Sequence, residues 1–222
     1  MNGTPHAGSW RLTLLAVATI LAAGLTLIAW QTEGGRAFTS ESLRRLQVER
    51  DTPPVPALTV IDEKGKTQLL PELVAAGPPV WIADFFYARC TSLCLAQGTV
   101  MAQLQRQILE QGLERRVGLL SISFDPAHDR PEALRAYARR MGAEARVWRF
   151  ATLARPDEQR TLLAHFGLVV IPAPLGEFEH NAALYVISAD GRLLRIEDMD
   201  APQRSLAYAL RAAALVDHGL PR

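Results

Sequence analysis

The two cysteines of this chain, Cys90 and Cys94, lie in the stretch FYARCTSLCLAQG with three residues between them. At positions i and i+4 their side chains share one face of a helical turn, and that spacing allows either a disulfide or a shared metal ion. A structural staple is a weak account of the pair, because a bridge around so short a loop removes little unfolded-state entropy. A helix starting beyond Tyr87 lowers a thiol pKa through its backbone N–H groups and the positive end of its dipole. That serves a nucleophilic thiolate and a metal-bound thiolate equally. The pair therefore points to redox or metal chemistry, and a third residue has to separate the two.

Five histidines are available. His6 precedes a long apolar segment and is out of reach, and His218 reads as a solvated residue near the chain end. His165, in LLAHFG, sits where a helix ends and suits a helix-capping role. His128, in FDPAHDRP, falls in a loop at the C-terminal end of a central strand, the edge at which open sheets bind ligands, and is an alternative ligand there. Asp125, just before Pro126, most simply initiates a turn. His180 lies in PAPLGEFEHNAALYVIS, read as a Pro- and Gly-rich loop running into a strand, and in isolation such a histidine reads as a surface residue.

These residues need a scaffold. ALTVIDEKGKTQLL predicts a hairpin about a Lys-Gly turn, PELVAA a single helical turn, and the apolar run VWIADFFY a central strand covered on both faces. Apolar residues at three- and four-residue spacing then predict a helix up to Gly112, which puts the cysteines at a strand-to-helix junction. VGLLSISF predicts a second central strand, followed by a helix from about Pro131 to Met141. VWRFAT reads as a third strand, DEQRTLLAHFG as a helix, LYVIS and RLLRI as a hairpin, and APQRSLAYALRAAALVDHG as the closing helix. This order predicts an α/β chain with a mixed three-layer sheet of the thioredoxin type. LRAYARRMGAEAR reads as a solvated helix face on which Arg139 and Arg140 are placed to meet a partner.

The 222 residues, 49% hydrophobic and 21% charged, fit one globular domain plus an N-terminal extra. Residues 12–30 carry no charge and approach the roughly 20 needed to span a bilayer, longer than the apolar core of a cleaved signal peptide. With Arg11 set aside, 23 basic residues balance 23 acidic ones beyond that run, which gives nucleic-acid binding no electrostatic support. The expected organisation is a short cytoplasmic N-terminus (1–11), a transmembrane anchor (12–30), a tether (31–54) and an extracytoplasmic domain (55–222). Outside the cytoplasm the redox state of the cysteines is a real variable.

FFYARCTSLC, SISFDPAHDRPEAL and EFEHNAALYVISADGRLLR occur in an order and at separations that resemble the Sco/SenC family, membrane-anchored copper proteins that assist cytochrome oxidase assembly. The resemblance covers residues 55–216. It implies a thioredoxin-like fold with N-terminal and inserted β-hairpins behind one transmembrane helix, in the inner membrane with its C-terminal domain on the periplasmic side. It also implies one copper ion held by Cys90, Cys94 and His180, with Asp125 and His128 as candidates for places beside the metal. The implied partner is a cytochrome oxidase subunit or another copper chaperone.

Two thiolates and an imidazole suit Cu(I) and tolerate Cu(II), whereas a structural zinc site wants a fourth protein ligand. The sequence departs from the family where Thr91 and Leu95 replace prolines often found after each cysteine, and where Glu179 replaces an aspartate. The alternative is a thiol–disulfide oxidoreductase acting on the cysteines of an oxidase subunit or metallochaperone. It loses ground because Asn181-Ala182-Ala183, with no proline, precede the strand at Leu184. A peroxidase with Cys90 peroxidatic and Cys94 resolving finds no supporting residues.

Overall fold

The computed structural model describes residues 9–31, 39–90, 93–174 and 177–217, with the side chains at 9, 31, 93–95 and 217 outside the description. His6, His218, Thr91 and Ser92 lie outside the described residues. The chain forms two compact units, Met1–Arg50 and Asp51–Arg222.

In the first unit, helix α1 (Ser9–Gln31) contains a run, Trp10–Trp30, that is long and apolar enough to cross a membrane. A second helix, α2 (Ser40–Asp51), occupies much of the segment read as a tether. Its origin is local. Thr39 Oγ1 accepts the Ser42 N–H at 3.0 Å as an N-cap, and Glu41 pairs with Arg44 and Arg45, each at 2.9 Å, one helical turn on. A mixed polar composition hides such a helix because no apolar stripe announces it.

The second unit is built on a mixed sheet. Its strands are β1 (Thr59–Asp62), β2 (Thr67–Leu69), β3 (Val80–Phe86), β4 (Val117–Ser123), β5 (Trp148–Leu153), β8 (Ala183–Ser188) and β9 (Leu193–Asp198), in spatial order β2-β1-β5-β4-β3-β8-β9. Every residue of β3 and β4 is buried, so both faces of the sheet centre are covered, as their near-continuous apolar sequences require. The covering helices are α3 (Leu70–Ala75), α4 (Leu93–Glu110), α5 (Pro131–Met141), α6 (Gln159–Phe166) and α7 (Pro202–Asp217). Helix α7 packs on β3, β4, β8 and β9, while α5 packs on β5 and β1. Proline at its first position starts α5, and Gly142 at φ 65° ends it by donating its N–H back to Ala138 and Arg139.

One deviation from expectation lies next to the chemistry. β6 (Val170–Pro172) and β7 (Phe178–His180) pair antiparallel as a separate two-stranded ribbon in which Val170 faces His180. The region that its residues alone read as a loop is thus a hairpin, in keeping with the inserted hairpin implied by the family resemblance, with His180 at the end of a strand. Its strands of three residues each, one ending in proline, are too short for a period-two pattern to show.

Strand direction gathers the candidate residues. β3 and β4 are parallel, from Val80 opposite Val117 to Phe86 opposite Ser123, so their C-terminal ends share one edge. β8 runs antiparallel to β3, with Ala83 opposite Tyr185, so the start of β8 meets the end of β3. The cysteine segment after β3, the Asp125 loop after β4 and His180 before β8 therefore converge at a single edge of the sheet.

Two features of the sheet centre yield measurable consequences. The Trp81 indole donates to Val74 O at 2.9 Å and lies against two glycines. A Cβ at Gly77 would stand 2.0 Å from Trp81 Cζ2, and one at Gly118 would stand 2.8 Å from Trp81 Cε3 and 2.9 Å from Pro78 Cγ. Overpacking of this kind costs about 1–3 kcal/mol, so Gly118→Ala is expected to lower the urea midpoint accordingly, with Gly77→Ala lowering it at least as much.

Asp84, unexpected in an apolar strand, is buried opposite its register partner Ser121, whose hydroxyl donates to it at 2.5 Å. Ser121 Oγ in turn accepts Trp148 Nε1–H at 2.8 Å. Burial pushes the Asp84 pKa up to about 7 from an ordinary 3.8, despite the Ser121 hydrogen bond. Between those values the folded chain binds the proton that the unfolded chain has lost, so stability falls as pH rises from about 4 to about 7 and the loss levels off above. Asp84→Asn cannot ionise. Its stability relative to the parent chain is expected to be higher at pH 8 than at pH 5 by a few kcal/mol, measured by urea unfolding at both values; equal differences at the two pH values would exclude a neutral Asp84.

Candidate metal centre

β3 ends at Phe86, and the chain turns through residues 87–90, where the Cys90 N–H donates to Tyr87 O at 3.3 Å. Cys90 is buried, with 2% of its surface exposed. Helix α4 begins at Leu93, which places the backbone of Cys94 in its first turn. Backbone N–H groups left unpaired by a helix start, together with the dipole, stabilise a thiolate there. The strand-to-helix junction expected for this pair is present, while the Cys94 side chain lies outside the described residues.

His180 is the last residue of β7 and is 9% exposed. Its ring stands edge-on to Phe124, 5.1 Å between centroids, and to Tyr87 at 6.2 Å. The Tyr87 hydroxyl fixes this hairpin, donating to Phe178 O at 3.2 Å and accepting the Phe178 N–H at 3.1 Å. His180 Nδ1 lies 3.0 Å from Asn181 O, and since a carbonyl can only accept, Nδ1 carries the proton. The lone pair is therefore on Nε2. Burial holds the His180 pKa below its ordinary value, outweighing the Asn181 hydrogen bond, so the ring is neutral at pH 7. A neutral imidazole with its tautomer set by a backbone carbonyl is the form that ligates a metal.

The loop after β4 bears a polar cluster. Asp125 accepts Arg89 Nη2 at 2.9 Å and lies 2.9 Å from His128 Nδ1. The turn expected at Asp125 is formed by its backbone carbonyl, which accepts the N–H groups of His128 and Asp129. Its carboxylate is spent on Arg89 and His128. His128 is half exposed, and the nitrogen facing Asp125 is occupied by that contact. Among the described side chains no three His, Cys, Asp or Glu groups form a metal cluster, a set that excludes Cys94.

Asp129 escaped the sequence reading. It is fully buried and accepts the Ser123 hydroxyl at 2.6 Å and the Ala88 N–H at 2.7 Å. Burial raises its pKa, partly offset by the Ser123 and Ala88 hydrogen bonds. The expected solvated face of α5 is also partly structural: Arg140 Nη2 donates to Ala88 O at 3.0 Å, and Arg135 Nη1 to Glu63 O at 2.8 Å. His165 lies in the last turn of α6, where its sequence placed it.

The donor types fit a soft metal: a buried thiol, a second cysteine in the first helical turn, and a buried neutral imidazole, all at one sheet edge. Comparison with known proteins agrees in fold and family. The SCO1/SenC family model matches residues 60–215. A SCO1 protein homolog of Bacillus subtilis (strain 168) is 26% identical over 118 residues, 52% of this chain and 60% of the relative's length. Among solved structures, a SCO1/SenC family lipoprotein from Bacillus anthracis superposes with a TM-score of 0.64 at 22% identity, covering 73% of this chain and 96% of the other. Arabidopsis thaliana ScoI with copper bound gives a TM-score of 0.59 at 15% identity, over 72% and 99% of the two chains. BsSco, a Sco-family cytochrome c oxidase assembly protein in which a disulfide switch was identified, gives 0.61 at 24% identity, over 73% and 94%. With the family model matching well over half of its length, this chain belongs to the SCO1/SenC family.

Proposed function

We propose that this chain is a membrane-tethered copper chaperone that binds one copper ion through Cys90, Cys94 and His180 and hands it to a cytochrome oxidase subunit or to another copper chaperone. The observation that carries the reading is His180: buried, neutral, with Nδ1 engaged by Asn181 O, at the sheet edge where the Cys90 turn ends. Relatives of the same fold are known with copper bound, and one is described as a cytochrome c oxidase assembly protein with a disulfide switch. Two thiolates and an imidazole favour Cu(I) and accept Cu(II) without the fourth protein ligand that structural zinc requires. Only the dithiol can bind, so cysteine oxidation gates loading. In this reading α1 anchors the chain in the inner membrane, and the domain works on the extracytoplasmic side.

The test is an anaerobic Cu(I) titration of the reduced protein against a chromophoric chelator. One copper per chain is expected, with His180→Ala weakening affinity roughly tenfold or more and losing the nitrogen contribution in X-ray absorption. If His180→Ala matches the parent in both measurements, the histidine assignment fails. If the reduced protein holds no copper yet turns over a partner disulfide, the oxidoreductase reading replaces this one.

A further inference from the structure

The turn carrying Cys90 is held from outside itself. Within residues 87–90 the Cys90 N–H donates to Tyr87 O over a long 3.3 Å. The N–H of Ala88 goes to Asp129 Oδ2 at 2.7 Å, and the carbonyl of Ala88 receives Arg140 Nη2 at 3.0 Å. Both polar groups of one residue, two positions before the cysteine, are thus taken by side chains 41 and 52 residues further along the chain.

The two anchors are themselves fixed. Asp129 Oδ2 also accepts the Ser123 hydroxyl at 2.6 Å, and the Arg140 guanidinium lies over the Tyr137 ring at 4.9 Å. Arg89, between Ala88 and Cys90, is held by Asp125. Asp129 is fully buried, and its Oδ1 has no hydrogen-bond partner among the described residues. A carboxyl group buried with one oxygen unserved costs stability. A turn that needed only closing does not require it.

We propose that Asp129 and Arg140 are positioning residues for Cys90, a clamp on the Ala88 peptide groups that keeps the sulfur buried and aimed into the sheet edge. The metal-binding consequence rests on the copper reading above; the effect on the thiol does not. Each clamp bond acts through geometry. Asp129→Asn retains a carbonyl oxygen for both donors and so preserves the clamp, whereas Asp129→Ala removes it.

The experiment uses the full-length chain in detergent, with thermal unfolding as the control for folding. In a Cys94→Ser background, the rate of iodoacetamide alkylation reports Cys90 alone. Asp129→Ala is expected to speed it about fivefold or more, Arg140→Ala about two- to fivefold, and Asp129→Asn less than about twofold. With both cysteines present, Asp129→Ala is expected to weaken Cu(I) binding about tenfold, with Asp129→Asn near the parent. Unchanged alkylation in folded Asp129→Ala overturns the clamp, as does Asp129→Asn behaving like Asp129→Ala, which would assign the effect to charge. If Asp129→Ala does not fold, Arg140→Ala decides by the same rates. Should the parent chain bind no Cu(I), the copper reading falls and the alkylation series still decides the clamp.

Discussion

The candidate centre depends on one pairing, the antiparallel register of β8 against β3 with Ala83 opposite Tyr185. In an all-parallel sheet the segment preceding β8 would emerge at the far edge, more than 20 Å from the cysteines at about 3.3 Å of rise per residue. Reversal of this one strand brings His180 to where β3 ends. The parallel pairing of β3 with β4 does the same for the loop from Asp125 to Asp129. A one-residue slip of β8 would turn the inward residues of a fully buried strand to the opposite face, so core packing and site assembly are enforced by the same contacts.

Within that frame, buried polar groups are matched by register. Asp84 meets Ser121 directly across the β3–β4 pair, and Trp148 on the next strand completes the chain of donors. Asp129 meets Ser123, the last residue of β4, and Ala88, just past the end of β3. Among the described residues neither carboxyl has a cation at salt-bridge distance, and both have raised pKa values because desolvation exceeds what their hydrogen bonds and, for Asp129, the more distant Arg89 charge return. Asp125, four residues before Asp129, has Arg89 and half-exposed His128 as partners. Two buried aspartates of one loop thus sit in different electrostatic settings, one paired with Arg89 and His128 and one held by neutral donors.

Most of this fold was legible because its signals are long-range in sequence yet simple in kind. VWIADFF and VGLLSIS read as central strands because both faces are covered, and α5 was read from about Pro131 to Met141, the range it has. What stayed hidden depends on a single cap or on a tertiary partner. α2 has an N-cap and ion pairs but no apolar stripe, and the hairpin at His180, three residues per strand, showed only through the family resemblance. Asp129 in FDPAHD looks like any loop acid until Ala88 is placed beside it. Arg140 looks like a solvated charge for the same reason: its acceptor is a backbone carbonyl that no pattern marks. The residues proposed to bind copper were legible only through the joint resemblance of three segments, since spacing alone left redox and metal chemistry level.

A site that delivers its ion has to release it, and the two proposed ligands whose side chains are described are anchored unequally. Cys90 stands on a turn joined directly to β3, a strand buried at every residue, and braced by Asp129 and Arg140. His180 ends a two-stranded ribbon outside the main sheet, and such a ribbon is marginal on its own. Its outer strand leaves Ile171 54% exposed, and the preceding Val169 is 58% exposed, so burial contributes little to holding it. Tyr87 ties the ribbon down through both backbone groups of Phe178 and through its ring beside His180. On the copper reading, the cost of moving a ligand is therefore lower at the imidazole than at Cys90. On that reading, an incoming ligand from the receiving partner would meet less resistance by displacing His180 first, and transfer would then proceed from a cysteine-held ion.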